Sequence, residues 1–310
     1  MNPAVSLKTG SGSLDLKNPV MSASGTFGYG AEYMPYGDIR SLGAIIVKGL
    51  SLEPRAGNPL PRIAETPSGM LNAVGLQNDG VESFVREKLP GLPWKEVPVI
   101  ANIYAHSLAD FSALAGILSA EAGVAALEVN ISCPNVKAGG LLFGQDPKLA
   151  AQVTEAVRKN ARGTPVIVKL SPNVTDIKVI ARAVESAGAD MISCINTVTG
   201  MAVDIRTRRP RLANVVGGLS GPAIKPVALR CVWEVSQAVS VPVIGLGGIS
   251  CAEDVLEFML VGASAVEVGT AGFSDPASIF RIASDLPGLC DAMGIRDLEE
   301  WRGSLAVKQE

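Results

Sequence analysis

Five short apolar runs of this chain end in polar side chains of an unusual kind. Val47-Lys48-Gly49, Ala101-Asn102, Val129-Asn130, Val168-Lys169 and Ile195-Asn196-Thr197 each close an apolar run on an amide or a lysine. One Asn in such a place is ordinarily a turn or cap residue, and one Lys is ordinarily solvated. Five together are harder to attribute to turns. Asn offers both a donor and an acceptor, so it can read the edge of a ring amide. Lys offers a point charge for a carboxylate, or for negative charge that develops during a reaction. The set suits a planar, anionic, amide-bearing small molecule.

Cys133 stands among Ser132, Pro134, Asn135 and Lys137, a setting that does not suit a small apolar filler. A positioned thiol acts as a nucleophile or as a general base. With an ordinary pKa of about 8.5 it is a weak base at neutrality unless its surroundings lower that value. Glycines at 139 and 140 would let such a loop open and close. Cys194, Cys231 and Cys251 lie in apolar contexts and read as filler, while Cys290 carries no signal.

Glycines form the third group. Gly247-Gly248 and Gly269-Thr270 end the last two apolar runs, and Gly217-Gly218-Leu219-Ser220-Gly221 lies upstream. Bare backbone N–H groups after strands seven and eight of a barrel are where phosphate binds; the alternative is tight barrel turns. Ala23-Ser24-Gly25-Thr26-Phe27-Gly28 is a similar surface after the first run. A phosphate-tailed cofactor across the top of a barrel would contact both regions.

The elements that must position these groups follow from hydropathy. Val20–Ser22, Ala44–Val47, Val97–Ile103, Ala126–Ile131, Val166–Leu170, Met191–Ile195, Val241–Leu246 and Ala265–Val268 are near-continuous apolar runs. That is the pattern of parallel strands buried on both faces. Helical patterns separate most of them, at Val81–Leu89, Ser107–Ala122, Pro147–Ala161, Ile177–Ala187, Lys225–Val239 and Ala252–Val261, with Asp176 and Ser250 at N-cap positions. The expectation is α/β: a (β/α)8 TIM barrel spanning residues 1–310 as a single domain, preceded by a short hairpin of Val5–Leu7 and Leu14–Leu16. Three strand-to-helix connections are long: Lys48–Asp79, Ser132–Asp146 and Asn196–Ile224. In a parallel barrel all such connections open on one face, the face that carries active sites.

Composition narrows the function. The 310 residues carry a net charge of −3, with 18% charged and 47% hydrophobic residues, which excludes a disordered chain. A pI near 5.4 argues against nucleic acid as partner. Arg206, Arg208, Arg209 and Arg211 read as a solvated or partner-facing loop. One histidine, His106, makes imidazole metal sites and Ser-His triads nearly untenable; it reads as a partly exposed loop residue. Five scattered cysteines form neither a disulfide framework nor a zinc site, so no metal is expected and a reducing cytoplasm is the simplest setting. No signal peptide and no apolar run of membrane-spanning length is visible.

The motifs together resemble a known family. Asn130-Ile131-Ser132-Cys133-Pro134-Asn135-Val136-Lys137, followed by Phe143-Gly144, is similar to the catalytic loop of class 1 dihydroorotate dehydrogenases. Asn72-Ala73-Val74-Gly75-Leu76-Gln77-Asn78 resembles their substrate loop, and Gly218-Leu219-Ser220-Gly221-Pro222-Ala223-Ile224-Lys225-Pro226 also matches. The resemblance covers essentially the whole chain. Within class 1 the form SCPNVKAGGLLFG looks like the NAD-linked 1B type rather than the fumarate-linked 1A type. A Cys where the quinone-linked class has Ser, and no membrane-associating N-terminal extension, set that class aside. One departure is Val198-Thr199, where many relatives carry a Lys.

The resemblance implies FMN as cofactor, one per chain, and dihydroorotate as substrate, oxidised across C5–C6 in pyrimidine biosynthesis. Cys133 would be the base removing the C5 proton while hydride passes from C6 to the flavin. Asn72, Asn130 and Asn196 would hold the ring amides and carboxylate, with Asn135 and Thr197 adjacent and Ala73, Val74, Gly75 and Leu76 completing the substrate loop. Lys48 would touch flavin and substrate, and Lys169 would stabilise charge on the reduced flavin. Ser24, Gly49, Asn102, Asn130, Ile195, Gly221, Gly247, Gly248, Gly269 and Thr270 would hold FMN, and the loop 134–145 would be a lid. The 1B type further implies a heterotetramer: a homodimer core with an electron-transfer subunit carrying FAD and a 2Fe–2S cluster. The readings weighed against this are the fumarate-linked enzyme, a flavin barrel acting on dihydropyrimidine bases, a non-redox phosphate-binding barrel and a non-catalytic flavin-binding subunit.

Overall fold

Apolar runs buried on both faces have one stable arrangement, a parallel sheet wrapped in helices. In the computed structural model, which describes residues 3–132 and 143–307, the eight runs form that sheet. The strands are β1 (Val20–Ser22), β2 (Ile45–Ile46), β3 (Val99–Ile103), β4 (Ala126–Asn130), β5 (Val166–Leu170), β6 (Met191–Cys194), β7 (Val243–Leu246) and β8 (Ala265–Val268). Spatial order follows chain order, β2-β3-β4-β5-β6-β7-β8-β1, every pairing parallel. The remaining seam joins β1 to the start of β2 by a single Met21–Ala44 bridge. There the Ser22 hydroxyl substitutes for ladder bonds, accepting from Ile46 N at 2.9 Å and donating to Ile46 O at 3.2 Å. The result is a nearly closed (β/α)8 barrel. The antiparallel hairpin Val5–Thr9 and Gly12–Leu16 precedes it, each arm longer than the apolar pattern alone predicts.

The helices bury one stripe each. Ile177–Ser186 buries Ile177, Ile180, Ala181 and Val184, the i, i+3, i+4, i+7 spacing of an amphipathic helix. Pro147–Asn160 buries Ala150, Val153, Thr154 and Val157 in the same way. Asp176 caps the first of these helices as expected, accepting from Lys178 N at 2.9 Å. The helix expected over Val81–Leu89 differs: a short α-turn, Gly80–Ser83, widens into a π-turn at Phe84–Lys88. Beyond β8 lies a long helix, Ser278–Ala292, which the apolar pattern did not single out. Among the described residues no helix is long and apolar enough to cross a membrane.

The second and sixth connections are not irregular loops. Their segments Ile63–Thr66, Gly69–Asn72, Val198–Met201 and Val216–Ser220 pair as a four-stranded antiparallel sheet, with Asn72 opposite Gly218. Ala64, Leu71 and Leu212 form a small core of their own beneath it. Glycine is required at 218, because a Cβ there would collide with the Thr197 side chain. The glycines at 217 and 218 thus serve close strand approach rather than an anion. Arg209 and Pro210 pair with Val203 and Asp204 as an exposed ribbon at the edge of this sheet.

Another correction concerns the helix after β7. Its N-cap is Cys251, not Ser250, and Cys251 is exposed rather than apolar filler. Asp254, buried in the first turn, organises this end. Its Oδ2 accepts from Ser250 N at 2.7 Å, Ser250 Oγ at 2.9 Å and Cys251 N at 3.2 Å. Its Oδ1 accepts from Lys225 Nζ at 2.6 Å, joining the β7 turn to the helix after the sixth connection. Burial alone would raise the Asp254 carboxyl, but Lys225 and Ser250 hold it below the usual range. Its stabilisation is therefore present above the ordinary carboxylate pKa and is lost as pH falls through the lowered folded value. Asp254→Ala is expected to cost about 2 kcal/mol, a lost cap plus a lost charged hydrogen bond. A urea titration at pH 7 reads the shift in midpoint.

Candidate active site

All eight strands run the same way, so their polar ends meet on one face of the barrel. A cavity of about 610 Å³ opens there, within the range of small-molecule and cofactor sites. Its walls come from strand ends and from the four-stranded sheet. Every residue singled out from the sequence as a site candidate lines it, except Cys133 and Asn135, which lie outside the described residues with most of the expected lid. The chain lines the cavity on both sides of that segment, through Ser132 before it and Gly144 and Gln145 after it.

The amides are held by backbone. Ile195 N donates to Leu246 O at 3.0 Å and Asn196 N to Leu170 O at 2.8 Å, which clips the end of β6 between its neighbours. Asn130 Oδ1 accepts from Ser132 N at 3.1 Å and from Asn196 Nδ2 at 3.4 Å. That leaves the Asn130 amide donor uncommitted among the described residues. Asn72 ends its strand in the sheet and donates from Nδ2 to Gly218 O at 3.3 Å. The stretch 73–76 is anchored from the same connection: Asn58 N donates to Val74 O and Asn58 Nδ2 to Ala73 O, both at 2.9 Å.

The two lysines face this space differently. Lys48 has no ion pair among the described residues; burial, with the nearby Arg62 charge adding to it, holds its ammonium below the usual lysine range. Lys169 is buried between two carboxylates, 2.9 Å from Glu267 Oε2 and 3.5 Å from Glu128. Burial would lower it, but those carboxylates more than offset this and hold it above the usual range.

The glycines build a cradle on the opposite wall. Gly248 adopts φ +87°, and a Cβ on it would come within 2.9 Å of Gly221 O and 2.8 Å of Lys225 Cβ. Only glycine lets these two turns touch. Among the described residues the N–H groups of Gly247, Gly248, Gly269 and Thr270 donate to no protein acceptor. Free backbone donors converging from the ends of β7 and β8 fit a phosphate.

With the barrel, the amides, the two lysines and the glycine cradle in place, comparison with known proteins gives one answer. The family model for dihydroorotate dehydrogenase matches residues 6–289. The chain belongs to the dihydroorotate dehydrogenase family. A protein of Solidesulfovibrio magneticus named dihydroorotate dehydrogenase B (NAD(+)), catalytic subunit, is 70% identical over 294 residues, which is 95% of this chain and 96% of that one. Proteins of the same name are 63% identical in Maridesulfovibrio salexigens (95% of this chain, 96% of the relative) and 57% identical in Trichlorobacter lovleyi (98% and 99%).

The structure adds residues to the site that strand-end reasoning did not single out. Asn173 lines the cavity and ties two connections together, donating to Thr197 O at 3.0 Å and accepting from Thr199 N at 2.9 Å. Arg55 and Tyr104 line it too, and both bond His106 Nε2 at 3.0 Å. His106 is a half-buried loop residue, as expected, and it belongs to a polar cluster. Glu128 and Glu267 were also unanticipated. Their signal is visible in hindsight, since Leu127-Glu128-Val129 and Val266-Glu267-Val268 each place a charge inside a fully buried run.

Proposed function

We propose that this chain is the catalytic subunit of an NAD-linked dihydroorotate dehydrogenase, oxidising (S)-dihydroorotate to orotate in pyrimidine biosynthesis. The observation that carries this is near-full-length identity of 57–70% to proteins of that name, on a fold whose cavity gathers the amides, lysines and glycines. FMN fits the chain's own features: a glycine cradle whose N–H groups have no acceptor among the described residues for its phosphate, and the buried Lys169 ammonium for its ring. When bound, FMN supplies the acceptor for the hydride that leaves C6.

The protein's residues supply the rest. Cys133 takes the C5 proton, so that one proton and one hydride leave the substrate. Asn72, Asn130 and Asn196 bind the ring amides and carboxylate, with the Asn130 amide donor uncommitted among the described residues. Lys48, without an ion pair among the described residues and partly desolvated, attracts the carboxylate of the substrate. Lys169 places positive charge where electron density rises. Ser24, Gly49, Asn102, Ile195, Gly221, Gly247, Gly248, Gly269 and Thr270 hold the cofactor, with Ala73–Leu76, Asn135 and Thr197 closing on the substrate. Electrons leave through a second subunit with FAD and a 2Fe–2S cluster, in a cytoplasmic assembly of two copies of each chain. The word "subunit" in the relatives' names supports the existence of a partner.

The test is anaerobic addition of L-dihydroorotate to the purified yellow protein. The expected result is bleaching of the visible flavin band, reversed by NAD+ only in the presence of the partner subunit. Bleaching by dihydrouracil in place of dihydroorotate would sink the substrate assignment, and rapid recovery with fumarate alone would sink the NAD link.

A further inference from the structure

Inside the barrel, β4, β5 and β8 direct three ionisable side chains at one another. Glu128 is 0%, Glu267 1% and Lys169 5% exposed. Two carboxyl groups thus share one ammonium in an enclosed space, and the two are not equivalent. Glu128 is surrounded by donors: Ser193 Oγ at 2.8 Å to Oε1, Asn102 Nδ2 at 2.6 Å to Oε2, and Lys169 Nζ at 3.5 Å. That environment suits a carboxylate. Glu267 Oε2 accepts from Lys169 Nζ at 2.9 Å, while its Oε1 is buried and meets no donor among the described residues.

Lys169 Nζ lies 3.5 Å from Glu128 and 2.9 Å from Glu267, so both carboxyl groups face one ammonium. With both ionised, the cluster would carry a net charge of about −1 in a medium where like charges a few ångströms apart repel strongly. We infer that Glu267 is the acid of this pair and that the Lys169–Glu128–Glu267 cluster is neutral as a whole.

The other groups around Glu267 agree. The charged groups that act on it are Lys169 from β5 and Glu128 from β4. The Cys194 thiol from β6, within electrostatic reach of Glu267, is pushed up by burial and stays uncharged. Burial, and then the charge of Glu128, push the Glu267 carboxyl well above the carboxylate range. Glu128 would also be raised by burial, but Lys169 and its hydrogen bonds hold it low.

Lys169 and Glu267 both line the cavity, so the proton bears on whatever binds there. Here the inference rests on the flavin reading. Glu267 is a positioning residue: by staying neutral it keeps the Lys169 charge from being over-compensated when the bound ring gains electrons. Ionising it would add a negative charge to the cavity wall and would make reduction of a flavin bound there harder.

The protonation state has a readout independent of the cofactor. Infrared spectra of the purified protein at pH 7 are expected to show a carboxylic-acid C=O band that moves down in D2O and is lost in Glu267→Gln. Its absence from the wild-type spectrum, or its survival in Glu267→Gln, would overturn the assignment. The second readout is the midpoint potential of the bound flavin. Gln mimics the neutral acid, so the potential at pH 7 is expected to be unchanged. A rise on substitution would mean that Glu267 was ionised. If dihydroorotate failed to bleach the protein, the function would be in doubt while the infrared result still decided the proton.

Discussion

Cys133→Ala is expected to lower turnover by about 10²–10⁴-fold, the usual contribution of a positioned general base, with the cofactor still bound. The cofactor contacts proposed above come from other elements, so the yellow colour survives and the loss falls on the chemical step. The pH profile distinguishes base loss from misfolding. In the wild type the rate of flavin reduction rises with pH as the thiol, ordinarily titrating near about 8.5, becomes thiolate. In Cys133→Ala that rising limb disappears. Stopped-flow mixing with dihydroorotate across pH 6–10 (roughly spanning that titration) reads both effects. Reduction of the alanine variant at the wild-type rate would place the base elsewhere, and the cavity offers no second thiol among the described residues.

Lys169→Met is expected to have the largest effect on stability. Removing the one cation leaves Glu128 as a buried, uncompensated charge beside Glu267, and breaking a buried ion pair from one side costs about 3–5 kcal/mol. The fall appears as a lower urea midpoint. Lys169→Met combined with Glu128→Gln removes both charges and is expected to recover part of the loss, because replacing both partners avoids the stranded carboxylate. Recovery of none of it would mean that Lys169 acts through packing alone. In whatever Lys169→Met protein remains folded, turnover is expected to fall by about 10²–10³-fold, the scale of losing one electrostatic stabiliser in a water-poor site.

The legible part of this protein is the part governed by local pattern. Runs such as Val166–Leu170 are apolar at every position because parallel strands are covered on both faces, and their order in the chain is their order in the sheet. Once strands are parallel, Lys48, Asn102, Asn130, Lys169 and Asn196 share one rim whatever the details, so the composition of the cavity follows from the residues at strand ends. Gly247-Gly248 and Gly269-Thr270 after the last two strands were legible for the same reason.

Other features needed the closed fold. Asn72 and Gly218 lie 146 positions apart, and nothing local in Gly69–Asn72 or Val216–Ser220 marks them as partners, so two connections that read as loops form one sheet over the site. The glycines at 217 and 218 look like those at 247 and 248 in sequence; only the collision with Thr197 shows that Gly218 serves strand packing.

By itself, then, the sequence determined the strand set, their parallel direction and the chemical character of the face they open on, because hydropathy and residue type act within a few neighbours. Only the tertiary structure decided which groups meet. Glu128, Lys169 and Glu267 come from β4, β5 and β8, and the charge each carries depends on how far away the others lie once the barrel has closed and water has been excluded.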